Sequence, residues 1–225
     1  MNYLHWQEEK ITDFSPENIS AMYDRGFVFT RKGYGVMHQT RSCRINLEKF
    51  SLTSENRRIL KKGADISVSH EVLPLSDYSF TIGKMAKDFY TTKFGEGVMS
   101  TQKIKEMLTD ASKSNFNALI VYADKTGEKI GYTILYENND IVHYSYPFYD
   151  LTEAPKDMGL VMMTKMIDGA KKWNKRYFYL GSLQRPTDTY KLQFEGLEWF
   201  DGKTWQSDLE EVKKILTSDK IAGNE

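Results

Sequence analysis

The stretch from Ile141 to Phe194 constrains this chain more than any other. It opens with an aromatic strand over residues 141–150, including Tyr144, Tyr146, Phe148 and Tyr149. A loop with Asp157, Met158 and Gly159 follows, then a helix-like run over residues 160–172. Residues 177–181 read as a second strand, and residues 190–194 come after it. Strand, glycine turn, helix, strand is the signature of a βαβ unit. The turn before such a helix carries free backbone N–H groups and the positive end of the helix dipole, where a ligand can sit.

The rest of the chain must pack around that unit. Ser15-Pro16 starts a short helix, which Asp24-Arg25-Gly26 ends. Residues 27–32 read as a strand. In residues 42–50, Cys43, Ile45 and Leu47 share one face while Arg44, Asn46 and Glu48 share the other. Residues 54–62 read as a short helix with Ser54 as its cap and Gly63 as its stop. A strand over 66–72 and a helix over 77–94 follow, the latter marked by Ile82, Met85, Ala86 and Phe89. Ser100 or Thr101 caps a further helix. Residues 117–124, 129–136 and 141–146 form an antiparallel meander that feeds the glycine loop. Asp201-Gly202 marks a late hairpin, residues 208–216 a final helix, and the last residues read as disordered. The order predicts an α+β fold with a mixed, mostly antiparallel sheet flanked by helices. Residues 1–70 form a basic segment packed on a core domain, 71–225, the two making one continuous body.

Composition removes several function classes. The 225 residues hold 31 basic and 31 acidic side chains and a single cysteine, Cys43. An internal disulfide and a cysteine-rich metal site are therefore excluded, and a reducing, cytoplasmic setting is expected. No apolar run approaches the roughly 20 residues of a membrane span, and the N-terminus lacks a signal-peptide pattern. Cys43 lies on the apolar face, which points to core rather than nucleophile. His143 reads as structural, and His5, His38 and His70 show no metal-ligand spacing. The neutral total hides a local excess. Residues 25–62 carry ten basic side chains against Glu48 and Glu55, whereas residues 195–211 carry six acids against Lys203. Such a concentration suggests a polyanion site, and Arg57, Arg58, Lys61 and Lys62 share one short helix.

Several motifs in a fixed order carry a resemblance. They are Arg44-Ile45, Phe50-Ser51 with Arg57-Arg58 and Lys61-Lys62, the Tyr144–Asp150 strand, Gly159, Tyr177-Phe178-Tyr179-Leu180-Gly181, and Tyr190-Lys191 with Phe194. Together they resemble the aminoacyl-tRNA–protein transferases, the arginyl and leucyl transferases of the N-end rule pathway. The resemblance spans most of residues 25–205 and implies a GCN5-related acetyltransferase-like (GNAT-like) fold. It implies an acyltransferase that moves arginine or leucine from charged tRNA to the N-terminal amine of acceptor proteins beginning with Asp or Glu. The partners implied are charged tRNA and an acceptor N-terminus, without a membrane. Two departures stand out. The family's cysteine cluster, reported as a metal or iron–sulfur site, falls at residues 34–40, which hold no cysteine; no cofactor or metal is therefore expected. The family's Phe-x-Pro-x-Glu ending appears as Phe194-Glu195-Gly196-Leu197-Glu198, with the proline lost.

An aminoacyl ester is already activated, so the work is positioning and stabilisation of an oxyanion. An α-amino group titrates at about 7.7–8.0, so no strong base is required. The catalytic candidates are Gly159, whose backbone N–H suits an oxyanion, the hydroxyls of Tyr146 and Tyr190, and Lys191. Arg44, Tyr144, Tyr149, Arg185 and Glu198 are candidates for substrate binding, with Lys191, Arg44 and Arg185 the cations available to an acidic acceptor. Arg57, Arg58, Lys61 and Lys62 would meet tRNA phosphate, with salt-sensitive affinity. Sheet packing is the plainer role for the tyrosines. Two other functions remain open: an acetyl-CoA-dependent N-acetyltransferase, and a non-catalytic tRNA- or peptide-binding relative. Against the first, Asp157 puts negative charge where acetyl-CoA phosphates would lie, and Val161 stands where the phosphate loop wants a small residue.

Overall fold

The computed structural model describes residues 3–218. The N-terminal part supplies β1 (Gln7–Lys10), α1 (Pro16–Asp24), β2 (Phe27–Phe29), β3 (Val36–Gln39), β4 (Ser42–Asn46), α2 (Ser54–Lys62) and β5 (Ser67–Val72). Helices α3 (Phe80–Phe94) and α4 (Thr101–Thr109) precede β6 (Ala118–Ala123), β7 (Lys129–Glu137) and β8 (Ile141–Tyr149). The chain continues through α5 (Met158–Lys172), β9 (Tyr177–Ser182), a 3-10 helix (Pro186–Gln193), β10 (Leu197–Phe200), β11 (Trp205–Gln206) and α6 (Leu209–Ser218). The chain end expected to be disordered lies outside the described residues.

Eight strands form the main sheet in the order β11-β10-β4-β9-β8-β7-β6-β5, and β1, β3 and β2 form a small second sheet. All pairs in the main sheet are antiparallel except β8 with β9, which run parallel across α5. This is the α+β, mixed and mostly antiparallel architecture that the sequence order implies. Strand β4, from the first 70 residues, lies inside the sheet between β10 and β9.

Both faces of the sheet are covered, and the strands read accordingly as apolar on both sides. One core joins Ile45, Leu47, Ile120, Tyr122 and Phe178 to α2, α5 and α6. The other joins Leu119, Val121, Tyr177 and Tyr179 to α1, β2, β3, α3 and α4. Double cover alters one expectation. Arg44, on the polar side of the alternation, is only 6% exposed because its face of β4 meets α1 and the end of the sheet.

The helix ends follow local chemistry. Ser15 caps α1 by accepting from the Asn18 N–H, with Pro16 at the first helical position. Thr53, not Ser54, caps α2, and its side chain and that of Asn56 bond each other's backbone reciprocally. Gly63 closes α2 where it touches α5; a Cβ there would lie 2.2 Å from Val161 Cγ1. That close approach fixes α2 against the helix at the heart of the βαβ unit.

Candidate active site

Strands β8 and β9 separate after a short parallel pairing. Only Ile141–His143 are registered with Tyr177–Tyr179. Beyond them, β8 continues on β7 alone, and a bulge leaves Ser145 without a partner between Tyr144 and Tyr146. On the other side, Gly181 takes φ +75° as β9 ends. A residue with a Cβ is strained there, so glycine suits the departure of the chain. The wedge between the strands opens into a cavity of about 630 Å³.

Each wall has a distinct source. The bulged half of β8 brings Tyr144, Ser145, Tyr146 and Tyr149, and the start of α5 brings Gly159, Leu160 and Met163. The C-terminal end of α3 closes another side with Phe89, Tyr90, Lys93 and Phe94. Tyr90 ties α3 to β8 by donating its hydroxyl to the Pro147 carbonyl at 3.2 Å. The 3-10 helix and the loop before it supply Arg185, Asp188, Tyr190 and Lys191.

Seven residues singled out in the sequence thus meet in one place: Tyr144, Tyr146, Tyr149, Gly159, Arg185, Tyr190 and Lys191. Lys191 is the most constrained. It is buried, at 8% exposure, and its ammonium donates to the Ser182 carbonyl at 2.8 Å. It makes no ion pair among the described residues, so its remaining donors stay available. Burial works against its charge, while Cys43, Tyr190 and Asp188 favour it; the balance moves its pKa upward, and Lys191 is an ammonium at neutral pH. Burial pushes the Cys43 thiol up to about 12, so it is neutral and inert. Tyr146 is likewise pushed up to about 12 by burial and is a neutral phenol. His143 is held down at about 3 by burial and by Lys191, and its Nδ1 pairs with the Tyr23 hydroxyl at 2.8 Å. It is a neutral core group.

The two carboxylates on the cavity wall are engaged. Asp157, at the N-cap of α5 with φ +71°, forms an ion pair with Lys62 at 2.5 Å and does not cap its own helix. Asp188 accepts the Gln184 and Arg185 backbone N–H groups at 2.8 and 2.9 Å. Lys93 and Arg185, by contrast, have no carboxylate partner among the described residues. The cavity is thus aromatic and apolar, with an excess of positive charge: Lys93, Arg185 and Lys191 against Asp188.

Other candidates lie elsewhere. Arg44 and Glu198 do not line the cavity; they bond each other. The Arg44 Nε donates to Glu198 at 2.9 Å, one terminal nitrogen donates to Asp24 at 2.8 Å, and the guanidinium sits between Tyr177 and Trp205, 3.7 and 4.0 Å from their ring centres. The sequence suggested substrate contact for this pair, but the double-covered sheet makes it an internal clamp. The basic residues of α2 are outside the cavity on an exposed helix face. Arg58 pairs with Glu55, and Arg57 donates to the Leu52 carbonyl. Lys62 alone reaches the cavity wall, through Asp157. The local basic excess is also partly balanced across the fold, by Arg25 with Glu9, Lys32 with Glu8, and Lys49 with Glu198.

A thiolate-held cluster does not fit this chain: Cys43 is its single cysteine and is buried in the core. The fold does assemble one grouping that sequence spacing hides. Ligand atoms of His5, Glu8 and His38 lie within 4.8 Å of one another. The His38 Nε2 and Glu8 are 2.8 Å apart, an ordinary hydrogen bond, and the His5 and His38 rings stack at 4.5 Å. Phe94, Lys93, Ser145 and Asp188 also escaped the sequence reading. Helix periodicity marks Phe89 as core and the helix ends at Phe94 as expected, but the sequence does not say what that end packs against, and a bulge has no sequence signal of its own.

No protein-family model matches the chain. Relatives do. An aspartate/glutamate leucyltransferase of Alcanivorax borkumensis is 24% identical over 174 residues, covering 75% of this chain and 69% of that protein. One from Pseudoalteromonas atlantica is 24% identical over 176 residues, covering 76% and 74%. The chain is thus similar, at about a quarter identity, to proteins named as aspartate/glutamate leucyltransferases. Among solved structures, that of L-PGS from Bacillus licheniformis aligns with a TM-score of 0.48 and 13% identity, over 76% of this chain and about half, 52%, of that one. No helix among the described residues is long and apolar enough to cross a membrane.

Proposed function

We propose that this protein transfers leucine from charged tRNA to the N-terminal amine of proteins that begin with Asp or Glu. The observation that carries the reading is Lys191, a buried ammonium facing a largely apolar cavity with no ion-paired carboxylate among the described residues. A side-chain carboxylate of an acceptor residue would complete that pair, and a neutral residue would leave the charge buried alone.

The donor follows from the same inventory. Val28, Phe29, Leu160, Met163 and Leu180 give the wall an apolar character that suits a leucyl side chain. An arginyl guanidinium would join three cations already on the wall, Lys93, Arg185 and Lys191, with only the Asp188 charge to meet them, because Asp157 is paired with Lys62. The relatives named as leucyltransferases agree with this choice. The Asp157 carboxylate, held by Lys62 at the N-cap of α5, also stands where an acetyl-CoA phosphate would have to lie.

In the reaction, the acceptor nitrogen attacks the ester carbonyl carbon. The N–C bond forms, the bond from that carbon to the terminal ribose oxygen breaks, and an amine proton ends on the ribose hydroxyl. The oxyanion formed on the way would take hydrogen bonds from the Gly159 backbone N–H and from Ser145, which the β8 bulge leaves without a strand partner and whose hydroxyl would turn from the His143 carbonyl 3.3 Å away. The Tyr146 and Tyr190 phenols, neutral at working pH, would position the ester and relay the proton. The exposed face of α2, with Arg57, Arg58 and Lys61, would carry the tRNA backbone.

The test is incubation with leucyl-tRNA and a peptide beginning with Glu, read by intact mass. A gain of one leucine residue is the expected result. No gain, where a known leucyltransferase labels the same peptide, overturns the proposal.

A further inference from the structure

At the mouth of the cavity, Phe94 is the last residue of α3 and 45% exposed. The chain leaves it through Gly95 and Gly97, both with positive φ and with open space beside them. Its other surroundings hold the ring in place: Tyr90 stacks on it with centroids 5.6 Å apart and planes 30° apart, and Phe89 meets it edge-on at 6.5 Å. The Arg185 guanidinium reaches across from the loop before the 3-10 helix to 5.1 Å from the Phe94 ring centre. Lys93 is the neighbouring residue. Neither cation has a carboxylate partner among the described residues. A rigid, exposed aromatic plane flanked by unpaired cations is the chemistry that recognises a nucleotide: the ring takes the base, the cations take the phosphate.

We infer that Phe94 and Arg185 form the seat of the terminal nucleotide of charged tRNA, with its adenine stacked on Phe94 and its phosphate on Arg185. The inference rests on the proposed function above and adds a donor-binding residue that the motifs do not contain. The seat lies on the cavity rim, so the ribose that carries the aminoacyl ester would be directed inward, toward Lys191. Lys191 and the seat then divide the substrates: acceptor charge inside, donor base outside.

The experiment is a double-mutant cycle on the donor. Wild-type protein and Phe94→Ala are each given a short oligonucleotide with leucine joined to its 3′ end through a stable amide, with either adenine or no base at the terminal position. Inhibition of transfer from leucyl-tRNA gives each Ki. Base stacking on an aromatic ring predicts that Phe94→Ala weakens the adenine-bearing compound ~10- to 100-fold. Loss of the base should weaken it by the same factor in wild type and have little further effect in Phe94→Ala. Phe94→Trp should restore affinity, and the KM for the acceptor peptide should not move. Equal base effects in wild type and Phe94→Ala overturn the seat, as does a rise confined to the acceptor KM, which would assign Phe94 to the acceptor peptide. A wild-type protein that transfers no leucine and binds neither compound overturns the seat together with the reading it rests on.

Discussion

Replacing Lys191 with methionine separates a substrate-binding lysine from a structural one. Methionine keeps most of the volume and removes the charge. In the free protein the ammonium makes one hydrogen bond, to the Ser182 carbonyl, and no ion pair among the described residues. Losing a charge-assisted hydrogen bond costs about 1.5–3 kcal/mol, and the apolar packing of methionine together with the relieved desolvation offsets part of that loss. Lys191→Met should therefore unfold at a temperature close to that of wild type. Function should change far more. Truncating one member of a buried charge pair costs about 2–5 kcal/mol, so at ~3 kcal/mol kcat/KM for a Glu-initiated peptide falls by ~100-fold or more. A Gln-initiated peptide should be nearly indifferent to the substitution. The assay is leucine transfer to the two peptides, with thermal unfolding measured alongside. Equal losses on both peptides, or a marked fall in unfolding temperature with no change in selectivity, would refute the assignment.

Other expectations follow from the same geometry. Arg44→Ala leaves Glu198, whose side chain is 13% exposed, without its main partner; a loss of about 3–5 kcal/mol is expected in urea unfolding. Arg44→Lys should recover only part, because an ammonium cannot fork between Glu198 and Asp24 or stack between two rings, and acceptor KM should be unchanged in either. His143, at about 3 in the fold against an ordinary value near 6.5, binds its proton more readily when unfolded. Its contribution is present above pH 6.5 and fades as pH falls toward 3, costing up to about 1.4 kcal/mol per pH unit. His143→Gln should lose roughly 2 kcal/mol less than wild type between pH 6.5 and pH 5, as read by urea midpoints. Reversing charge at Arg57 and Lys61 together should weaken tRNA binding and reduce the slope of log affinity against log salt, by ~0.7–0.9 for each phosphate no longer neutralised. An unchanged slope would remove α2 from the tRNA path.

How far the sequence could be read depends on how local the cause was. The βαβ unit was legible, because strand, glycine loop and helix leave signatures within a few residues, and Asp201-Gly202 marked the β10–β11 hairpin for the same reason. Tyr144, Tyr146, Tyr149, Gly159, Tyr190 and Lys191 converged because the unit itself brings them together. Arg44 misled because alternation assigns a face but not what covers it, and here α1 and Trp205 do. The basic excess of residues 25–62 misled in part because its counter-ions, Glu8, Glu9, Asp157 and Glu198, stand outside that window. The His5–Glu8–His38 grouping and the Phe94–Arg185 pairing depend on tertiary placement across 33 and 91 residues of chain, which no periodicity encodes.

The most direct measurement is a single competition. Leucyl-tRNA and arginyl-tRNA are mixed with two peptides that differ only in a Glu or Gln first residue, and the four possible products are separated by mass. The apolar wall and the unpaired Lys191 call for the leucyl product of the Glu peptide to dominate all others. An arginyl product, or equal labelling of the Glu and Gln peptides, would contradict the account.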